Sequence, residues 1–381
     1  MHDASIIFFA GLCAFLVISP LPLQWRARNS GTLLLITWLF VGNILSFVDG
    51  LIWWDSIENV APIWCDISTK LSVGLTVGIA ASSLCITRRL VMIASSATVT
   101  FTQRQKRTAL CIDIFLGILL PIIVMALHYT VQPHRFDIYE GYGCQVSTWP
   151  SIPSIFAVSW WPVLLSLTAA VYGVIAIKFF LSRRLQFQTL LRSSRSGLDN
   201  RHYVRLMALA SVDILLGLPL TVFSLSQTII KRQPYESWAV VHYDWSRVDQ
   251  YHAYQIFNTA GNTAAVVLPR WHPPLLSIIF FLFFGVSIDS INEYCRWISW
   301  FKSKLPQGFV KLIVYNFNRL PIFVPKLGST VAVPIGGDWK APSTPEERGI
   351  DETQSGKHMR GSQSGAIDGV TVAVRVEREV V

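Results

Sequence analysis

Charged side chains are scarce in this chain of 381 residues. Asp, Glu, Lys and Arg make up 14% of it, whereas a soluble domain averages about 25%. The charges are missing altogether from seven long stretches, at 4–23, 32–48, 71–87, 114–131, 154–177, 214–230 and 271–288. A single soluble core would not normally contain seven such runs, so the composition argues against an ordinary soluble protein.

Each of these stretches is long enough to cross a bilayer once a flanking turn is added. The hydrocarbon core is about 30 Å thick and needs about 20 helical residues to span it. Only helices and closed barrels satisfy their backbone in lipid, and continuous apolar runs lack the alternation of a barrel strand. The sequence therefore predicts an all-α membrane protein, built as a bundle of seven transmembrane helices.

Sequence motifs of common enzymes are also missing. Neither HExxH, nor GxSxG, nor a P-loop occurs in the chain, and no pair of deep carboxylates is suited to acid–base catalysis. We therefore expect no enzymatic activity, no metal and no cofactor. The odd number of spans and the lack of two matching halves with broken helices count against a transporter.

Basic residues are sorted onto alternate loops. If the N-terminus is outside, the loops 24–31, 88–108 and 178–205 are cytoplasmic and hold 14 Lys and Arg, against 5 in the outside loops. Lys and Arg accumulate in cytoplasmic loops, so we expect an outside N-terminus and an inside C-terminus. The net charge of +9 then reflects this sorting, and we expect no nucleic acid as a partner.

The stretch 250–269 also lacks formal charge and is the alternative candidate for a span. It contains polar residues that would be costly against lipid, among them Gln250, His252, Asn258 and Asn262. We therefore expect it to belong to a long third extracellular loop, with the seventh span following at 271–288.

In this orientation only two of the six cysteines, Cys65 and Cys144, lie on the oxidising side of the membrane. Disulfides form in such compartments, which favours a bridge between the second extracellular loop and the outer end of the third span. Two free thiols remain the alternative, because the sequence does not give the distance between the two Cα atoms.

Two carboxyl groups are expected near the cytoplasmic side of the bundle. Asp213 lies about 10 Å from Leu206 along its helix at 1.5 Å per residue, which is deep enough to need a partner such as a base on a neighbouring helix. Together with Pro219, which can kink the same helix, it is our candidate for a helix switch. Asp113 is expected to snorkel at the interface.

Several short motifs carry a likeness to a known family. They are SGT at 30–32, GN at 42–43, APIWCDI at 61–67, LCITRRL at 84–90, GYGC at 141–144, NRHYVRLMAL at 200–209 and FFLFFG at 280–285. With these motifs, about residues 1–300 resemble the fungal mating-pheromone receptors for lipidated, a-factor-type peptides, which are class D G-protein-coupled receptors.

The resemblance implies a receptor of the plasma membrane that binds a farnesylated peptide pheromone and activates a heterotrimeric G protein, with membrane lipids and a second receptor copy as further partners. It favours G-protein coupling by a basic, aromatic surface of Arg201, His202, Tyr203 and Arg205, just before the sixth span. A positive-inside anchor would explain the arginines but not the likeness around Tyr203. The ligand-binding residues stay unknown, and a sensor of another ligand without mating-type discrimination is the alternative.

Three regions are expected along the chain. Residues 1–295 form the receptor domain, and 296–326 form a juxtamembrane cytoplasmic segment. Residues 327–381 form a mostly disordered tail, because 327–369 are rich in Gly, Ser, Thr and Pro.

Overall fold

A computed structural model describes residues 4–95, 102–182, 200–257, 260–287 and 290–297. Seven helices in it are long and apolar enough to cross a membrane. They are α1 (Ala4–Arg26), α2 (Ser30–Ile52), α3 (Pro62–Ser95), α4 (Gln103–Val131), α5 (Ile152–Ser182), α6 (Asn200–Ile230) and α7 (Ala260–Phe280). The seven predicted spans agree with these helices. Almost all of the predicted juxtamembrane segment and the whole tail lie outside the described residues.

The helix α3 forms the centre of the bundle. It packs against α2, α4, α5 and α6, and its buried residues include Val77, Ala81 and Leu90. Large apolar side chains on the outer faces of the other helices are exposed, for example Phe15 in α1, Phe115 in α4 and Val174 in α5. In a bilayer these outer faces contact lipid, so polar contacts are concentrated inside the bundle.

One proline shows how the helices are joined. Pro121 in α4 follows a π-helical turn at Phe115–Leu119, and it has no N–H to donate to the carbonyl of Gly117 four residues earlier. The indole Nε1 of Trp38 in α2 donates to this carbonyl at 2.9 Å. A Cβ on Gly78 of α3 would lie 2.2 Å from the Trp38 ring, so only glycine allows this contact between three helices.

A small sheet at one end of the bundle departs from the all-α prediction. Its strands are β1 (Phe136–Tyr139), β2 (Gly143–Gln145) and β3 (Val248–Tyr251), in the order β2-β1-β3. β1 pairs antiparallel with β2 and parallel with β3. The fold is therefore mostly helical, and we call this end the sheet end of the bundle.

The physical reason for the sheet is a pattern with a period of two residues in β1. Phe136 and Ile138 are fully buried against the helices, while Asp137 and Tyr139 point to the other face. Because each strand has only three or four residues, this alternation is easily overlooked between long apolar runs.

The seventh span begins earlier than predicted. α7 starts at Ala260, so residues 260–269 form its first turns and do not belong to a loop; its last turn is π-helical and ends at Gly285. The expected cost is reduced, because two of its polar side chains have hydrogen-bond partners in the protein. Lys231 Nζ donates to Asn262 Oδ1 at 3.0 Å, and Arg270 Nη2 donates to the Ser46 carbonyl at 3.0 Å.

Candidate functional site

A disulfide ties the sheet to the helices. Cys65 in the first turn of α3 and Cys144 in β2 are bonded, with their Cα atoms 5.3 Å apart, and both residues are buried. The predicted pairing is therefore present. It fixes the β1–β2 hairpin directly over α3, at the sheet end of the bundle.

The hairpin is also packed tightly on the helix ends. Trp53, Phe136 and Ile138 surround the disulfide in one apolar cluster and are fully buried. Gly143 has a φ of +74° and its Cβ would lie 2.6 Å from the Cβ of Asp49. Both the left-handed backbone and the close approach require glycine here, so β2 rests on the end of α2.

A half-buried arginine joins the same hairpin to α7. Arg270 Nη1 donates to the carbonyl of Tyr142, and its guanidinium lies 5.1 Å from the centre of the Tyr142 ring, within the range of a cation–π contact. The buried carboxylate of Asp49 nearby accepts a hydrogen bond of 2.6 Å from Trp64 Nε1. Sequence reasoning counted Arg270 as a loop charge; its position between apolar residues is the signal that was missed.

An aromatic cluster flanks the sheet. The ring of His242 stacks on Trp238 with centroids 3.9 Å apart, and Tyr129 lies 4.8 Å from Trp245 and 5.7 Å from Trp238. His242 Nε2 is 3.0 Å from the carbonyl of Tyr129 at the end of α4. Tyr129 and Trp238 keep 46% and 49% of their surfaces exposed, so the cluster can take up an apolar chain of a ligand.

An ion pair and a hydrogen-bonded lysine hold the chain beside this cluster. Arg135 Nε and Nη2 donate to the two oxygens of Asp66 at 2.8 and 2.5 Å. These hydrogen bonds raise the pKa of Arg135, so its guanidinium stays charged. Next to it, Lys70 Nζ lies 3.1 Å from His128 Nδ1 and donates to Gln132 Oε1, which places a cation between α3 and α4.

In the middle of the bundle, the predicted switch residue Asp213 has partners on two helices. Its Oδ2 accepts a hydrogen bond from Ser83 in α3, and its Oδ1 lies 3.7 Å from Nε2 of His272 in α7. His272 is thus a base on a neighbouring helix that faces Asp213, but 3.7 Å is too long for a hydrogen bond between these two atoms. Pro219 lies six residues further along α6, inside the helix. The switch itself stays a prediction.

Tyr203 was predicted to lie on a surface at the end opposite the sheet, but the structure places it inside the bundle. Its side chain is fully buried, its hydroxyl donates to the carbonyl of Leu90 in α3 at 3.3 Å, and its ring stacks on Phe180 of α5 at 5.5 Å. Arg205 is half-buried, and the side chains of Arg201 and His202 lie outside the described part of the chain. The coupling surface stays a prediction, in which Tyr203 positions α6.

The expectation that Asp113 snorkels at the interface is wrong. Asp113 is buried, because its carboxylate accepts from Arg88 Nη2 of α3 at 2.5 Å and from the hydroxyl of Ser30 in α2. Removing one member of such a buried pair costs about 3–5 kcal/mol, so α2, α3 and α4 are held together at this end.

Seven apolar helices with a disulfide-tied sheet at one end and arginines at the other define a multi-pass membrane protein. The pheromone A receptor family matches residues 5–303, and the chain belongs to this family. The predicted resemblance is thereby confirmed. The relatives described next are named as pheromone receptors, and receptors of this kind are not enzymes.

Individual relatives give the same result. The chain is 38% identical over 295 residues to the pheromone B alpha 3 receptor of Schizophyllum commune, covering 77% of this chain and 47% of the relative. It is 35% identical over 304 residues to pheromone receptor 1 of Mycosarcoma maydis (77% and 83%), and 28% identical over 339 residues to the pheromone a factor receptor of Saccharomyces cerevisiae (84% and 68%). The chain thus spans about half the length of the Schizophyllum relative.

Proposed function

We propose that this protein is a G-protein-coupled receptor of the plasma membrane, which binds a farnesylated peptide mating pheromone and activates a heterotrimeric G protein to start mating signalling. The match of the pheromone A receptor family to the whole seven-helix bundle carries the proposal. The geometry of the two ends supports it in three steps: orientation, ligand and coupling.

The sheet end faces the outside. Its disulfide belongs in an oxidising compartment, whereas Arg26, Arg28, Arg88 and Arg89 lie at or beside the opposite ends of α1 and α3, as the inside bias of basic residues requires. Ile7, near the start of α1, is the side chain closest to Gly50 at the sheet end of α2. The N-terminus is therefore outside.

The ligand meets the aromatic cluster of Tyr129, Trp238, His242 and Trp245. A farnesyl chain is a long apolar group, and burying apolar surface yields about 25 cal/mol per Å². The half-exposed rings of Tyr129 and Trp238 offer that surface beside the rigid hairpin. The peptide part lies over the hairpin and the neighbouring Lys70.

Coupling takes place at the base of α6. Arg201, His202 and Arg205 provide a basic surface for the G protein, and a displacement of α6 moves this surface. The Tyr203–Leu90 and Asp213–Ser83 hydrogen bonds oppose the displacement, because both join α6 to α3. Pro219 lowers the resistance of α6 to bending, since it removes one backbone hydrogen bond.

The test uses yeast cells that lack their own pheromone receptors and carry a pheromone-responsive reporter. The cells express this chain and receive synthetic peptides in pairs, each with and without a farnesyl group. We expect reporter activity with at least one farnesylated peptide and a far weaker response to its unmodified twin. Absence of any response, with the receptor verified at the cell surface, would contradict the proposed function. Equal potency of the two peptides would contradict only the proposal that the receptor recognises the farnesyl group.

A pair of variants locates the ligand. Trp238→Ala removes a half-exposed ring of the aromatic cluster, while Trp25→Ala removes an exposed ring at the opposite end. We expect Trp238→Ala to raise the half-maximal peptide concentration about tenfold, since a contact of 1.4 kcal/mol corresponds to that factor. Trp25→Ala should leave it unchanged; similar shifts in both variants would place the ligand elsewhere.

A further inference from the structure

The outer face of the sheet carries three side chains of the kinds that bind metal ions. They are His134, just before β1, Asp137 in β1 and Asp249 in β3, and one ligand atom from each lies within 4.8 Å of the other two. His134 Nε2 is 2.6 Å from Asp137 Oδ1 and 3.6 Å from Asp249 Oδ2. The imidazole nitrogen thus points between two carboxylates that belong to different loops.

The pairing of the strands brings the two carboxylates together. Asp137 stands directly opposite Asp249 in the parallel register of β1 and β3, and like charges in directly opposite positions destabilise a sheet. The sheet therefore collects negative charge at a place where a cation would relieve the repulsion.

The surroundings of the three groups suit coordination. The His134 side chain is only 8% exposed, so its ring is held in place, whereas Asp249 is 26% exposed and leaves an entry path. Arg247 Nη2 can only donate to His134 Nδ1, so the imidazole proton lies on Nε2, which donates to Asp137 Oδ1 and is the proton that a metal ion would displace. Arg247 Nε binds Asp249 Oδ1 at 2.9 Å, and the other oxygen, Oδ2, faces the histidine.

We propose that His134, Asp137 and Asp249 form a Zn²⁺ site that joins the second and third inter-helix loops of the sheet end. Zn²⁺ accepts one imidazole nitrogen and two carboxylate oxygens at about 2.0–2.2 Å, with water in the fourth position of a tetrahedron, and the imidazole favours it over Mg²⁺. Arg247 opposes the ion, because its Nη2 lies 3.2 Å from His134 Nδ1. The site is thus tuned to a moderate affinity, and its occupation strengthens the β1–β3 pairing.

The test measures zinc binding to the full chain in detergent micelles, without a polyhistidine tag and after treatment with a chelator. Competition with a chromophoric zinc chelator gives the affinity and the stoichiometry, and tryptophan fluorescence gives the unfolding temperature. We expect one Zn²⁺ per chain and a higher unfolding temperature with ZnCl₂ but not with MgCl₂. Asp249→Asn and His134→Asn should each weaken binding by more than about tenfold.

Two further variants separate this site from other histidines. His252 serves as the control, because it lies at the same end and its Nδ1 is 3.0 Å from Glu140 Oε2, outside the proposed site. His252→Asn should therefore leave the zinc affinity unchanged. Arg247→Gln removes the opposing charge and should tighten binding. The proposal is overturned if zinc does not bind, if His134→Asn and Asp249→Asn bind it as tightly as the unaltered chain, or if His252→Asn loses it equally. Affinity is measured at low temperature, so that a less stable variant still reports on the site.

Discussion

The two ends of the bundle are held together by different kinds of bonds. At the sheet end a disulfide, a three-stranded sheet and a buried cluster around Trp53 fix the second inter-helix loop on the helices. At the opposite end the helices are joined by a buried apolar cluster around Tyr203 and Leu90 and by single polar contacts, such as Arg88 with Asp113 and Arg26 with Glu293. A covalent bond fixes the first end in one arrangement, whereas noncovalent side-chain contacts hold the second.

This difference corresponds to the two tasks of a receptor. A binding surface gains affinity when it is held rigid before the ligand arrives. A signalling surface must change its position, so the bonds that hold it have to be weak enough for ligand binding to break. We infer that the sheet end recognises and the opposite end responds. The predictions below test this division, starting with the largest effect.

Removing the disulfide should damage the sheet end most. In Cys144→Ser the hairpin keeps its sheet contacts but loses the covalent bond to α3, and loss of a disulfide typically costs about 2–4 kcal/mol. We expect a clear fall in the unfolding temperature of the purified chain and in the number of receptors at the cell surface. Differential scanning fluorimetry and flow cytometry measure the two quantities.

The control is Cys111→Ser, which removes an exposed free cysteine of α4 and should change neither quantity. Reduction of the unaltered protein with dithiothreitol should lower its unfolding temperature as far as Cys144→Ser does. If Cys144→Ser unfolds at the same temperature as the control, the sheet end owes its rigidity to packing alone.

The middle of the bundle should show an intermediate effect. Asp213→Leu removes the acceptor for Ser83 and the neighbour of His272, and interhelical hydrogen bonds in membranes contribute about 0.6 kcal/mol on average and up to about 1.7. Because these contacts hold α6 against α3 and α7, we expect reporter activity without ligand to rise several-fold. The measurement is the basal signal, normalised to the number of receptors at the surface.

A double-mutant cycle with Ser83→Ala identifies the contact responsible. Ser83 acts on α6 through Asp213, so Ser83→Ala alone should raise the basal signal slightly and should add nothing to Asp213→Leu. Additive effects would mean that the two residues act separately, and a fall in the basal signal would mean that Asp213 stabilises the displaced form of α6.

The sequence predicted the helices well because the bilayer imposes a simple rule on them. A span needs an uninterrupted apolar length, and the positions of charges mark its ends. The rule failed at α7, where Arg270 donates to the Ser46 carbonyl of α2 and so tolerates a position within a span. It failed for Asp113 for the same reason, since Arg88 and Ser30 compensate its charge.

The candidate sites were less predictable than the helices. The pairing of Cys65 with Cys144 followed from their compartment, but the sheet did not, because β1 and β3 are more than a hundred residues apart in the chain and their pairing depends on the folded helices. Tyr203 was identified as important, yet its burial was not, since a basic neighbourhood in sequence does not determine which way one side chain points.

The smallest expected effect distinguishes a positioning residue from a contact residue. Tyr203→Phe removes only the hydroxyl that donates to Leu90 and keeps the stacked ring; one such hydrogen bond contributes about 0.5–1.5 kcal/mol. At 3.3 Å this bond is at the weak end of that range, and because it opposes displacement of α6, the basal signal should rise about twofold, less than in Asp213→Leu. Arg205→Ala removes part of the proposed coupling surface and should lower the maximal response to ligand, with ligand binding unchanged. Both quantities come from dose–response curves of the reporter.

Ser211→Ala is the matched control for Tyr203→Phe, because it also deletes one hydroxyl from α6, but one that bonds within the helix, to the carbonyl of Met207 at 2.8 Å. It should leave the basal signal unchanged. If Tyr203→Phe instead lowers the maximal response, as Arg205→Ala does, with an unchanged basal signal, then Tyr203 contacts the G protein itself. The ring would then have to leave its buried position during activation, and the end opposite the sheet would be more mobile than its single contacts already imply.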